Sequence, residues 1–222
     1  MADDTSLDVT GLGKLAKAIP AKAWTTIVDT ACATFRDAMA PFTATTSGIG
    51  RLIEARFDRL VDAEKVLAAA NVSKATQKAA KAKKPPSGNA KASIVIAAIQ
   101  ASGCETDSVL RELWSNLLAQ ELVAGSVHPE FPHVLSRLSS YDARILAWVG
   151  QREKDKTATI KRALASMVAN TASLGFIEIK AEATFNTEQL IKLNLIQEER
   201  ASWSLTHTGR AFIQAVSDPS LE

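Results

Sequence analysis

The chain has 222 residues, 46% apolar and 23% charged, which suffices to bury a core and excludes a disordered chain, a collagen-like repeat and a disulfide scaffold. Its net charge of +2 hides an asymmetry: residues 1–92 carry 14 basic and 9 acidic side chains, net +5, while residues 93–222 carry 12 and 15, net −3. Aromatic residues make up only 5%, so the core rests on Ala, Leu, Ile and Val, which favours packed helices over sheets. Met1-Ala2-Asp3-Asp4 is acidic where a secretory signal needs Lys or Arg, and no uncharged apolar run reaches membrane-spanning length. A soluble, cytoplasmic protein is expected. Cys32 and Cys104 lack metal or redox spacing and read as reduced thiols.

Apolar residues at three- and four-residue steps predict a helix over 12–40, with Pro20 either starting or kinking it. Pro41 and the stretch 43–50 mark a break, and a second helix is expected from about Gly50 to Lys83 with Leu52, Ile53, Phe57, Leu60 and Val61 in its apolar stripe. Lys-Lys-Pro-Pro-Ser-Gly-Asn at 83–89 forbids helix continuation and reads as a linker. Beyond it, Ile94–Ser102 is an apolar helix closed by Gly103, and Asp107 opens an amphipathic helix Val109–Ala124 that Gly125 stops. His128-Pro129 opens a helix to Leu138, and Ser139 with Asp142 forms a capping box before Ala143–Val149. A helix over Thr157–Ser173, another over Asn186–Asn194, a hairpin pairing 195–198 with 201–205, and a closing helix Gly209–Val216 capped by Thr206 follow.

The expected fold is therefore mainly α: an N-terminal helical hairpin or bundle over 1–83, a Lys/Pro-rich linker at 84–91, and a helical domain over 92–222. The last ends in a winged-helix-like unit at about 157–216 with a small β-hairpin. Trp114, Trp148 and Trp203 are its expected core anchors, and residues 92–216 its stable folding unit, with 1–83 carrying the effector contact.

Few residues suggest chemistry. Gly11-Leu12-Gly13-Lys14-Leu15-Ala16 matches a dinucleotide fingerprint in letters but follows no strand. His128, His133 and His207 find no ligand set at metal spacing, and no nucleophile elbow occurs. No catalytic residue, metal or cofactor is expected. Between Glu64 and Glu105 there is no acid, while Lys65, Lys74, Lys78, Lys81, Lys83, Lys84 and Lys91 fall there. Lys74, Lys78, Lys81, Lys83 and Lys84, with Lys192 and Arg210 in the winged-helix-like end, are the candidate contacts for nucleic acid or an anionic surface. Net charge −3 over 93–222, and Glu198-Glu199-Arg200 at the wing turn, disfavour DNA as the partner.

The runs Leu110–Ala119, His128-Pro129-Glu130-Phe131 and Leu138–Leu146, with Leu193-Asn194-Leu195-Ile196 and Leu205–Ile213, resemble the abortive infection alpha family of bacterial proteins. The resemblance covers roughly 50–216 and includes the Pro85-Pro86 pair. Two departures are Ser139-Ser140, where Ser-Pro is expected, and Asn194, where Gly is usual in the turn before the hairpin. Trp114, Leu117 and Leu118 read as core, and Asn116 as a buried amide holding a turn. The resemblance implies phage defence by an abortive mechanism, acting through an unidentified protein partner, self-association or a surface, with no transmembrane segment and no carried-over catalytic residue. The alternatives are a winged-helix DNA-binding regulator and a membrane-acting toxin using the basic amphipathic helices of 12–83.

Overall fold

Small side chains at the centre of the molecule decide its architecture. A computed structural model describes residues 20–43, 47–83, 89–152, 184–199 and 202–221. It begins with α1 (Ala21–Thr43), α2 (Ser47–Asp58) and α3 (Asp62–Lys81). On α3, Ala68, Ala69, Ala75 and Ala79 are all buried, and side chains this short let neighbouring helices approach on several sides. α3 accordingly packs against α1 and against two later helices, α4 (Ala92–Cys104) and α5 (Ser108–Ala124). Phe35 of α1 stacks on Phe57 of α2 with ring centroids 3.8 Å apart, fixing the second helix on the first.

The single helix expected over 50–83 is two. Glu64 Oε2 accepts the Val61 backbone N–H at 3.1 Å, and Asp62 and Glu64 place negative charge in the first turn of α3, so a new helix start is stabilised without Gly or Pro. Ile53 and Phe57 face the core as expected, while Leu52 and Val61 are exposed. Pro20 precedes α1 rather than kinking it, and α1 runs through Pro41 to end at Thr43. The fingerprint-like stretch 11–16, Lys84 and the helix expected over 157–173 lie outside the described residues.

Gly103 does not end α4. It lies buried one residue inside the helix, where a Cβ would sit 3.2 Å from the Glu64 carbonyl oxygen, so glycine here permits close approach to α3. Gly125 does end α5: it takes a left-handed φ of 62° and its N–H bonds to Glu121 O. Asp107 caps the other end of α5, accepting from the N–H groups of Val109 and Leu110 at 2.8 and 3.1 Å. The helix expected from 129 to 138 is shorter. α6 spans Phe131–Leu135, with Pro132 in its first turn and hydrogen-bonded turns on both sides. Ser139 and Asp142 form the reciprocal capping box of α7 (Ser140–Arg152), at 2.8 Å and 3.1 Å.

The C-terminal elements are α8 (Thr184–Lys192), β1 (Ile196–Glu199), β2 (Ser202–Leu205), α9 (His207–Ala215) and a 3-10 turn at Pro219–Leu221. The strands pair antiparallel, Ile196 opposite Leu205 and Glu198 opposite Trp203. α8 closes in a Schellman motif: Leu195 N–H bonds to Leu190 O and Asn194 N–H to Ile191 O, with Asn194 at φ 55°. Asparagine tolerates this left-handed conformation, so the departure from Gly leaves the turn intact. Thr206 caps α9, accepting from Gly209 N–H at 2.9 Å and donating to Asn194 O, which seats the helix on that turn. A Cβ at Gly209 would run into the Leu195 carbonyl.

One cluster of buried apolar residues includes Phe35, Phe57 and Val72 from before the proline pair and Leu117, Leu146 and Phe212 from after it. Trp114 is buried in this core; Trp148 and Trp203 pack against it, half-buried.

Candidate functional site

α5 is buried almost all round, yet Glu112, Ser115, Asn116, Gln120 and Glu121 lie among its buried residues. Unpaired, such groups are costly, so each demands a partner. Lys78 of α3 meets the first three. Only 8% exposed, its ammonium donates to Glu112 Oε1 at 2.6 Å, to Ser115 Oγ at 3.1 Å and to Asn116 Oδ1, with Asp218 Oδ2 at 3.6 Å. Lys74 pairs with the other oxygen of Glu112. Burial alone raises the Glu112 carboxyl, but hydrogen bonds and charge from Lys74 and Lys78 outweigh it and hold the group below its ordinary value. Asn116 Nδ2 donates to Val216 O at 2.9 Å and Gln120 Nε2 to Ser217 O at 3.3 Å. The buried amide thus holds the end of α9, and the network ties α3, α5 and the C-terminal turn together.

A second network closes the loop after α5. Glu121, with no exposed surface, accepts the backbone N–H groups of Lys91 (2.6 Å) and Val127 (3.0 Å). The Lys91 ammonium donates to the carbonyls of Gly125 and Val127 at 2.7 and 2.9 Å. Burial pushes the Glu121 carboxyl up, and the Lys91 and Val127 contacts only partly oppose it. Asp142 is likewise engaged, accepting from Asn186 Nδ2 at 2.7 Å.

A groove of about 600 Å³ lies between the 126–137 segment and the C-terminal helices. Val127, Phe131 and Val134 line one side, Leu193, Ala211 and Ala215 the other. Phe131 is braced edge-on by Phe212, centroids 5.6 Å apart at 84°. His128, Arg137, Lys192 and His207 bring basic side chains to the walls, and Glu130 is the one acid among the described lining residues. His128 Nδ1 accepts the Glu130 N–H at 3.2 Å.

The lysine tract does not form one surface. Lys78 is turned inward and Lys74 is paired with Glu112, because the acid that neutralises them lies 34 or more residues away on α5. Lys81, Lys83 and Arg210 are exposed, and Lys192 lies in the groove. His128 and His207 line that same groove, whereas His133 is exposed on α6. Among the described residues no three His, Cys, Asp or Glu cluster as metal ligands. Cys32 is half-buried and Cys104 exposed; burial first, then the hydrogen bond to Glu64 at 3.3 Å and nearby negative charge, raise the Cys104 thiol, which keeps it protonated. No described helix is long and apolar enough to cross a membrane. Arg137 had no sequence signal beyond its charge, and the groove depends on tertiary placement.

A family model described as abortive infection alpha matches residues 64–173, from α3 past α7. The match takes in the 108–146 stretch and stops short of 193–215. No curated protein and no solved structure matches the chain.

Proposed function

The chain belongs to the abortive infection alpha family, which suggests abortive-infection-type defence, and on that premise we propose a phage-defence protein that acts by binding rather than by catalysis. The observation that supports binding is a division of labour among charges. Lys74, Lys78, Lys91, Glu112 and Glu121 are spent on one another and on backbone groups, where they hold helices together. Arg137 and Lys192 instead face a groove built where the family-matched segment meets α8 and α9. A DNA-binding reading would bring Glu198 of the hairpin toward phosphates, and a membrane-acting reading would need the inward-turned Lys78 outside.

The test is a plaque assay on cells expressing the full chain or Arg137→Gln/Lys192→Gln. Both residues are exposed, so the variant keeps the wild-type melting temperature and loses protection. Unchanged protection refutes recognition through the groove. Salt-sensitive DNA retardation lost in Lys192→Gln/Arg210→Gln would favour the regulator instead.

A further inference from the structure

We propose that the groove binds a small amphipathic anion, a molecule with a phosphate or carboxylate head and an apolar body; this deepens the binding function proposed above and rests on it. The groove volume, about 600 Å³, falls inside the range of small-molecule sites, about 300–1,000 Å³. Its floor is apolar and packed from behind, since Phe131 makes an edge-on contact with Phe212 and Val134 belongs to the core. Among the described lining residues its walls carry Arg137 and Lys192 against one carboxylate, that of Glu130, with His128 and His207 beside them.

Charge complementarity identifies the head. Among the described residues, Lys74, Lys78 and Lys91 have acidic partners, whereas Arg137 and Lys192 form neither an ion pair nor a side-chain hydrogen bond. Two cations that lack an ion-pair partner and outnumber the one described acid on a concave surface favour an anion between them. His207 and Thr208, in the first turn of the nine-residue α9, add the positive end of its dipole on the same side. The apolar floor then selects a body that an inorganic ion lacks. The same five ionisable groups give a signed expectation: losing Arg137 or Lys192 weakens binding, and losing Glu130 strengthens it.

Isothermal titration of the full chain with 1-naphthyl phosphate, 1-naphthoate, 1-naphthol and inorganic phosphate tests this. At least one naphthyl anion saturates one site, and 1-naphthol and inorganic phosphate each bind about tenfold more weakly, because each satisfies one half of the groove. Arg137→Gln and Lys192→Gln each weaken the anion about fivefold, and Glu130→Gln tightens it about twofold, at unchanged far-UV circular dichroism. Tighter naphthyl phosphate than naphthoate assigns a phosphate head, and the reverse a carboxylate head. No saturation by either anion in the millimolar range, equal affinity for 1-naphthol, or unchanged affinity in both charge variants overturns the proposal. If one variant misfolds, the sign of the Glu130→Gln effect decides. Weakened anion binding with intact plaque protection upholds the site and refutes the defence role of the groove; lost protection with unchanged anion affinity refutes the site alone.

Discussion

Lys78→Met removes the ammonium at the centre of the buried network and keeps the length of the side chain. In the variant, Glu112 retains only Lys74, and Asn116 Oδ1 and Ser115 Oγ lose their donor. Asp218 also loses the cation that stands 3.6 Å away. Removing one partner of a buried pair costs about 3–5 kcal/mol; the remaining Lys74 contact puts this case near the lower end, about 3 kcal/mol. At this chain length that corresponds to a fall in melting temperature of about 6–12 °C. The pH dependence carries a sign of its own. Glu112 is held below its ordinary value of 4.5, so its contribution is full above that value and is lost as pH falls through the lower folded value. Lys78→Met takes away most of that acid-side loss, because the carboxyl then rises toward the value set by burial. Urea denaturation followed by circular dichroism at pH 7 and across the acid range measures both effects. In Lys78→Met/Glu112→Leu the stranded charge is gone, so stability recovers in part, the remaining deficit of about 1–2 kcal/mol being that of the unpaired Asn116 Oδ1. A single variant less than about 1 kcal/mol below wild type, or a double variant no better than the single, would falsify the claim that this pair is a buried, interdependent unit.

Gly209→Ala drives a methyl group into the Leu195 carbonyl and is expected to cost about 3 kcal/mol by urea denaturation; a cost below about 1 kcal/mol would show that α9 can shift. Glu121 is held above its ordinary 4.5, so its ionisation costs stability as pH rises through the raised folded value; Glu121→Gln abolishes this slope while losing about 1–3 kcal/mol, because its NH₂ faces a backbone N–H donor. Limited trypsin digestion is expected to cut first near Lys83, since Lys78 is inaccessible. The two pieces then co-elute in size exclusion, held by the Lys78–Glu112 pair and the shared apolar cluster; early separation would count against that packing.

Signals that act within one turn of chain were legible in the residues. Asp107, Gly125, the Ser139–Asp142 box and Thr206 each satisfy backbone groups two to four residues away, so letter and position together suffice to place a helix end. The hairpin was equally local, Glu199 pairing with Ser202 only three positions along the chain. The start of α3 was missed because Val61 is not a capping residue, and the stabilising contact comes from Glu64 reaching backward. Gly103 looked like a terminator because a glycine after an apolar run usually is one; its role is set by the Glu64 backbone, some 40 positions earlier.

By itself, the sequence determined a helical protein with a small C-terminal hairpin, the ends of most of its helices, and its family resemblance, because periodicity and capping are encoded in neighbouring residues. Tertiary structure alone decided what the charges do. Lys78 and Lys192 are the same residue type in solvent-compatible settings, yet one is buried against Glu112 and the other is left facing a groove. That difference arises because a cation's energy depends on the counter-charges and dielectric that other helices bring to it, and α5 brings an acid to Lys78 while α6 and α9 bring none to Lys192.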